Sequence, residues 1–219
     1  SEEEFFNHIN DLNSDDLING FLVQLPLPKH INSIRAIDCI SPDKDADGFH
    51  VINAGNLSLG RNAIIPATPL GCLQLIHQVH KNLEGLSAVI IGRSNTVGKP
   101  MAQLLLQQNC TVTLVHSHTL EIEKICSTAD IIVAAAGKPE IVRKNWVKPG
   151  ATVIDVGINR LIDNNGNKSL VGDVAFSEVS EIAGAITPVP GGVGPMTIVS
   201  LLQNTLKLTY KKFGIDELT

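Results

Sequence analysis

Cysteine is scarce in this chain. The four present, Cys39, Cys72, Cys110 and Cys126, stand at irregular intervals, and none forms a C-x-x-C pair. Neither a disulfide framework nor a zinc site is indicated, and a reducing cytoplasm is the expected compartment. Long apolar runs are missing too. The longest, "IIVAAAG" from Ile131, is far too short to cross a bilayer, so no membrane association is expected. Basic clusters are absent, and 17 Lys and Arg against 22 Asp and Glu leave a net charge of −5, so no nucleic acid is expected as a partner. The acidic start, "SEEEFFNHI", lacks the basic stretch that opens a signal peptide. It carries no initiator Met and runs straight into a helical pattern, so a preceding segment is expected. No internal repeat or low-complexity tract occurs.

What is present suits a soluble globular protein: 219 residues, 43% hydrophobic and 18% charged, enough for one large or two small domains. A helical pattern over residues 2–12 leads to a strand-like run, "GFLVQL", at 20–25, and then to an Asp-rich polar segment at 42–48. "TPLGCLQLIHQV" reads as a helix with Thr68 as N-cap and Pro69 in its first position. From Leu86 the pattern is regular. "SAVIIG", "TVTLVH", "DIIVAAAG", "ATVIDVG" and a short "GAITPV" read as strands, with "KPMAQLLLQQN" and "EIEKICSTA" as helices between the first three. Continuous apolar strands alternating with helices specify a parallel α/β sheet. "NRLIDNNGNKSLVGDV" is hairpin-like, with a turn signal at Asn164-Asn165-Gly166. A final helix is expected from Met196 to about Lys212.

"VIIGRSNTVGKP" combines a strand, a two-glycine turn and a helix start, where the N–H groups of a helix N-terminus take up a dinucleotide's pyrophosphate. The spacing is not G-x-G-x-x-G: Gly92 and Gly98 stand six apart, and Ser94 holds the middle position. The surrounding βαβ pattern favours a nucleotide site over a plain tight connection. An NAD site carries an acid at the end of its second strand, about 20 residues past the glycines. Here that strand ends in His116-Ser117-His118-Thr119, and Arg93 stands in the turn. A cation and hydroxyls without a carboxylate favour a 2′-phosphate, hence NADP; the plain alternative is a solvent-facing Arg93. His116 and His118 have no third ligand, so no metal is expected there.

"PDKDADGFH" imitates the start of a calcium loop through Asp43, Asp45, Asp47 and Gly48, but its twelfth position is Ala54 where a Glu is needed. It reads as an acidic turn in which Asp47 can accept two parallel N–H bonds from an amidine-like ring edge. Gln24 falls near the carboxyl end of the first strand-like run, where ligands of α/β sheets collect. His77 and His80 read as a solvated helix face. "TPVPGGVGPMT", residues 187–197, packs three prolines and three glycines into eleven positions. Such a stiff, bare loop is either a rigid connector or a loop whose main chain lies against a ligand.

The stretches "GFLVQLPLP", "PDKDADGFH", "GRSNTVGKPM", "VIDVGINR" and "TPVPGGVGPMT" occur in this order in the bifunctional methylenetetrahydrofolate dehydrogenase/methenyltetrahydrofolate cyclohydrolases. The chain resembles that family from about residue 1 to about residue 210. The resemblance implies an α/β fold in three parts. A Rossmann-like parallel-sheet NADP domain occupies 67–186. A second α/β domain at 1–66, catalytic and folate-binding, is incomplete at its N-terminus. A cleft loop and C-terminal helix at 187–219 return to the first domain. It implies oxidation of 5,10-methylenetetrahydrofolate by NADP, hydrolysis of the methenyl cation to 10-formyltetrahydrofolate, and a cytoplasmic homodimer paired through the NADP domain.

Residue by residue, the resemblance implies catalytic roles for Gln24 and Asp47. Tetrahydrofolate derivatives are to be bound by Val23, Gln24, Leu25, Asp47, Gly191, Gly192, Val193, Gly194 and Pro195. Cofactor contacts fall to Gly92, Arg93, Ser94, Ser117, Ile158 and Thr197. The family's catalytic lysine lies in a Tyr-x-x-x-Lys motif upstream of the region matching residue 1, and the one tyrosine here is Tyr210. The implied upstream segment is about 60–70 residues, or two βα units. Without it, residues 1–219 are expected to bind NADP, to catalyse the oxidation weakly and to lack the hydrolysis. Gln24 takes up no proton near neutrality, and Lys44 stands among three aspartates that would hold it protonated. Two other readings share an NADP fold: a two-domain dehydrogenase for shikimate-like acids, and a non-catalytic NADP-binding remnant.

Overall fold

Three helices, α1 (Glu2–Ser14), α2 (Ser33–Asp38) and α3 (Val51–Ser58), carry the first part of the chain. The computed structural model describes residues 1–162, 166 and 168–215. α1 begins where the Ser1 hydroxyl accepts the Glu4 N–H (3.2 Å), and its first turn holds Glu2, Glu3 and Glu4, the charge sign a helix N-terminus favours. Its buried residues Phe6 and Ile9 pack with Ala36 of α2 and with Ile40. The strand expected at 20–25 is reduced to one parallel bridge, Phe21 to Asp45. Phe21 N–H donates to the Lys44 carbonyl (2.9 Å) and Ala46 N–H to the Phe21 carbonyl (3.2 Å). An apolar run becomes a strand only where a neighbour supplies successive partners, and the aspartate turn meets this run at a single position.

The alternating region forms a second unit, Thr68–Ile198, while Ser1–Ala67 and Val199–Thr219 make up the first. Its helices are α4 (Ala67–Val79), α5 (Gly98–Gln107), α6 (Ile122–Cys126) and α7 (Phe176–Val179). Its strands are β1 (Ser87–Ile91), β2 (Thr111–Val115), β3 (Ile131–Ala134) and β4 (Thr152–Asp155), followed by the antiparallel hairpin β5 (Asn159–Ile162) and β6 (Lys168–Val171), and β7 (Ala185–Ile186). Five of them form one parallel sheet in the order β2-β1-β3-β4-β7. β3 and β4 are buried along their whole length, which is why they read as unbroken apolar runs. Val89, Ile132 and Val153 from the sheet centre join Val142, Trp146 and Val179 in its core. α4 starts at Ala67, so Thr68 lies inside its first turn instead of capping it. Of the expected turn Asn164-Asn165-Gly166, the two asparagines lie outside the described residues.

α8 (Val193–Phe213) starts three residues before the expected Met196. Pro195 falls in its first turn, where a missing N–H breaks no helix bond. From Val199 onward the helix belongs to the first unit. There Asn204 Nδ2 donates to the carbonyls of Ala46 (2.9 Å) and Ile65 (2.8 Å), and Leu208 packs with Ala46 and Ile64. No helix among the described residues is long and apolar enough to cross a membrane.

Candidate functional site

In the first unit, one buried carboxylate folds the segment 43–50. Asp45, 1% exposed, accepts from the N–H groups of Gly48 (3.0 Å) and His50 (2.8 Å) and from Asn53 Nδ2 (2.9 Å). Gly48 takes φ +72°, and a Cβ there would lie 2.7 Å from the Ile64 carbonyl oxygen, so glycine alone fits. Asp47 is left half-buried. Its loss of water, and then the charge of Asp45, push its carboxyl up to about 6. Among the described residues no three His, Cys, Asp or Glu side chains are placed to hold a metal ion. Lys44 Nζ donates to the carbonyls of Leu12 (2.9 Å), Asn13 (2.7 Å) and Asp15 (2.7 Å), closing off the end of α1. Gln24 is exposed, and its Nε2 donates to the adjacent Leu25 carbonyl (3.2 Å), between the half-buried Val23 and Leu25. The Phe21–Asp45 bridge ties this segment to the aspartate loop.

In the second unit the strand order switches direction between β1 and β3, where a parallel sheet opens a crevice at its carboxyl edge. β1 leaves the sheet there through Gly92. With φ +119°, Gly92 lies so close to the loop after β3 that a Cβ would run into the Ala135 carbonyl oxygen. A Cβ at Gly98 would run into the Gly92 carbonyl oxygen, so both glycines serve stacking of backbone on backbone. Ser94 Oγ accepts from the N–H groups of Val97 (3.1 Å) and Gly98 (3.3 Å), which closes the turn that leads into α5. Arg93 is exposed beside it. β2 ends in a tight turn in which Thr119 Oγ1 accepts the His116 N–H (3.0 Å) and His116 Nδ1 accepts the His118 N–H (3.2 Å), leaving Ser117 exposed. His116 is held below the usual histidine range, by partial desolvation first and then by the charges of Arg93 and His118.

A cavity of about 540 Å³ lies within the same unit, walled by residues 188–192, the first turn of α8 and the loop after β4. Ile158, Gly191, Gly192, Val193, Gly194, Pro195 and Thr197 all line it. Gly92, Arg93, Ser94 and Ser117 do not; they stand at the ends of β1 and β2. The glycines of the proline-rich loop differ in purpose. At Gly192 a Cβ would lie 2.6 Å from the Pro188 carbonyl oxygen, so the loop itself requires glycine, whereas at Gly191 and Gly194 it would meet nothing within 4 Å. Thr197 Oγ1 donates to the Val193 carbonyl (3.1 Å) and lies 3.1 Å from Thr68 Oγ1. The stretch is thus the wall of a cavity and not only a connector.

Two buried acids that the sequence reading did not single out organise this region. Asp155 accepts from the N–H groups of Gly157, Asp173 and Val174 (all 2.9 Å), and burial raises its carboxyl above the usual range. Asp173 collects N–H groups from the loop after β3. The available signal was Asp-Val-Gly beginning at the last residue of β4 and Gly-Asp-Val after β6, an acid within two residues of a glycine where a strand ends.

The fold and the switch-point turn define a dinucleotide-binding α/β protein. A family model described as tetrahydrofolate dehydrogenase/cyclohydrolase, NAD(P)-binding domain, matches residues 66–213, and the catalytic-domain model of the same family matches residues 1–47. The bifunctional protein FolD 3 of Rhizorhabdus wittichii is 57% identical over 216 residues, covering 98% of this chain and 71% of that one. The crystal structure of the bifunctional enzyme FolD from Campylobacter jejuni is 48% identical, with a TM-score of 0.92 over 97% of this chain and 74% of that one. The Trypanosoma brucei methylenetetrahydrofolate dehydrogenase-cyclohydrolase, solved with NADP cofactor and inhibitor, is 40% identical, with a TM-score of 0.92 and the same coverage of 97% and 74%. The chain belongs to the tetrahydrofolate dehydrogenase/cyclohydrolase family.

Proposed function

We propose that the protein oxidises 5,10-methylenetetrahydrofolate with NADP and hydrolyses the resulting methenyl cation to 10-formyltetrahydrofolate. The observation that carries this reading is the cavity at the start of α8, where Gly191 and Gly194 leave main chain facing open volume. Bare backbone of this kind admits a flat ring system. The residues at the switch point fit NADP as well, since Arg93 and Ser117 offer a cation and a hydroxyl on exposed turns where a 2′-phosphate can be met. NADP, when bound, supplies the hydride acceptor. The chain supplies position. Pro188, Pro190 and Pro195 keep the cavity wall still, and Gly92 and Ser94 shape the turn under the phosphates. In this reading residues 67–186 hold the nucleotide, while residues 1–66 hold the folate, with Asp47 accepting paired N–H bonds from the pterin edge. The carbon that loses hydride lies between two nitrogens that share its charge, so holding two ligands in register accounts for much of the rate.

Opening the methenyl cation requires an acceptor for a proton of the attacking water. Lys44, engaged by three carbonyls, does not serve. Gln24 can orient such an acceptor through its amide but cannot replace it. Reduction of NADP by purified protein with methylenetetrahydrofolate tests the reading, with shikimate in parallel. Turnover of shikimate alone would overturn it, and NADP binding without turnover of either would support a binding remnant. On the resemblance we also read the protein as a cytoplasmic homodimer paired through the nucleotide unit, which sedimentation tests.

A further inference from the structure

We propose that Asp173 is a positioning residue for the dinucleotide, acting through the loop after β3; the inference rests on the reading of this unit as NADP-binding. Asp173 is 0% exposed, just past the end of β6. Its Oδ2 accepts from the N–H groups of Ala136 (2.6 Å) and Gly137 (2.8 Å), and its Oδ1 from Lys138 N–H (3.0 Å) and Asn159 Nδ2 (2.9 Å). Three successive backbone N–H groups converging on one anion form a nest, with Gly137 at φ +64° supplying its left-handed step. A nest of this kind at a strand end commonly receives a ligand's phosphate. Here the chain's own carboxylate occupies it, so the nest serves to set the loop.

That loop matters because of what rests on it. The Ala135 carbonyl oxygen is the atom that a Cβ at Gly92 would strike, so the nest fixes the surface on which the Gly92 turn is seated. On its other side Asp173 holds Asn159, the neighbour of Ile158 in the cavity wall. Asp173 is itself held, because its N–H donates to Asp155 (2.9 Å). The fit leaves no slack: a Cβ at Gly157 would collide with the Asp173 carboxylate, and one at Gly172 with that of Asp155. The loops that follow β3, β4 and β6 are thereby tied to one another by two side chains.

The experiment compares the full chain with Asp173→Asn, which keeps the shape but turns an NH2 group toward N–H donors. NADP and tetrahydrofolate affinities are measured by titration, and hydrogen exchange is read at residues 136–138. The expected result is lost protection at 136–138 and an NADP Kd raised about tenfold or more, the scale of a misplaced binding element. Folate affinity stays within about twofold. Equal losses for both ligands, unchanged NADP binding, or an NADP loss accompanied by a lowered thermal midpoint of the variant would overturn the inference, since a purely structural side chain acts through stability. If Asp173→Asn does not fold, Gly137→Ala strains the left-handed step of the nest without a collision, since a Cβ there meets nothing within 4 Å; an NADP Kd raised about threefold supports the proposal and an unchanged one overturns it. Failure of the unmodified chain to bind NADP would overturn both this inference and the reading it rests on. Binding by that chain with an unaffected, folded Asp173→Asn variant overturns this inference alone.

Discussion

In the first unit Asp45 gathers two N–H groups and the Asn53 amide in a segment whose β-pairing is a single bridge. In the second, Asp155 and Asp173 gather theirs at the edge of a five-stranded parallel sheet. The device is the same: a buried carboxylate whose lost water is replaced in part by N–H donors. The surroundings differ. The sheet already holds the ends of β1, β3 and β4, so its two acids only adjust loops. The loop at 43–50 has no sheet beneath it; Asp45 sets its turn while Asn204 holds the Ala46 carbonyl, and Asp47 is left half-buried and hard to ionise. Scaffold and site are separable in the second unit and nearly the same thing in the first.

The variant with the largest expected effect removes the side chain on which the first unit's loop depends. Asp45→Ala orphans three donors and should destabilise the first unit by about 3 kcal/mol or more, read from a denaturant midpoint. Folate binding should disappear while NADP binding remains. A parallel loss of NADP affinity would break the contrast between the units.

Next comes Asp47→Asn. The carboxyl sits at about 6 in the folded protein against an ordinary 3.8, so folding disfavours its ionised form. The stability it contributes is therefore complete below pH 4 and is lost as the pH rises through about 6. The variant should accordingly be more stable than the native chain at pH 7 by about 1–3 kcal/mol, and the advantage should vanish in acid, as thermal midpoints across pH will show. It should also lose folate binding. In the native protein, folate affinity should fall as the pH drops below 6.

Arg93→Ala probes the second unit, where the frame should survive any single surface change. NADP binding should weaken by about 1–3 kcal/mol with NAD binding nearly unchanged, and the His116 pKa should rise on removal of the neighbouring charge, which NMR titration reads. Equal weakening for both nucleotides would show that Arg93 does not meet the 2′-phosphate. The smallest effect belongs to Lys44→Met. Three carbonyls lose a donor at a partly solvated site, for about 1 kcal/mol of stability, and any hydrolysis of methenyltetrahydrofolate should be unaltered.

Local pattern carried a good deal. β1, β3 and β4 were legible because strands buried on both faces need no polar alternation, and α5 because its apolar positions recur at helical spacing. The family was legible in five short stretches and their order. "GFLVQL" misled because its composition is that of a strand while its partner offers one bridge. The partners of Lys44 were not legible, because they are carbonyls at the end of a helix some thirty positions earlier.

Periodicity and turn chemistry are properties of adjacent residues, so the sequence alone determined a parallel α/β unit, the glycine turn after its first strand and a stiff loop ahead of its last helix. Which atoms those residues meet depends on segments far apart in the chain, and that only the tertiary structure decided. Gly92 is glycine because Ala135 lies against it, Gly192 because Pro188 folds back on it, and Gly194 leaves a cavity beside the main chain. Asp45, Asp155 and Asp173 look like any other acids in the sequence. They become structural because burial strips away their water and leaves backbone N–H groups as the replacement.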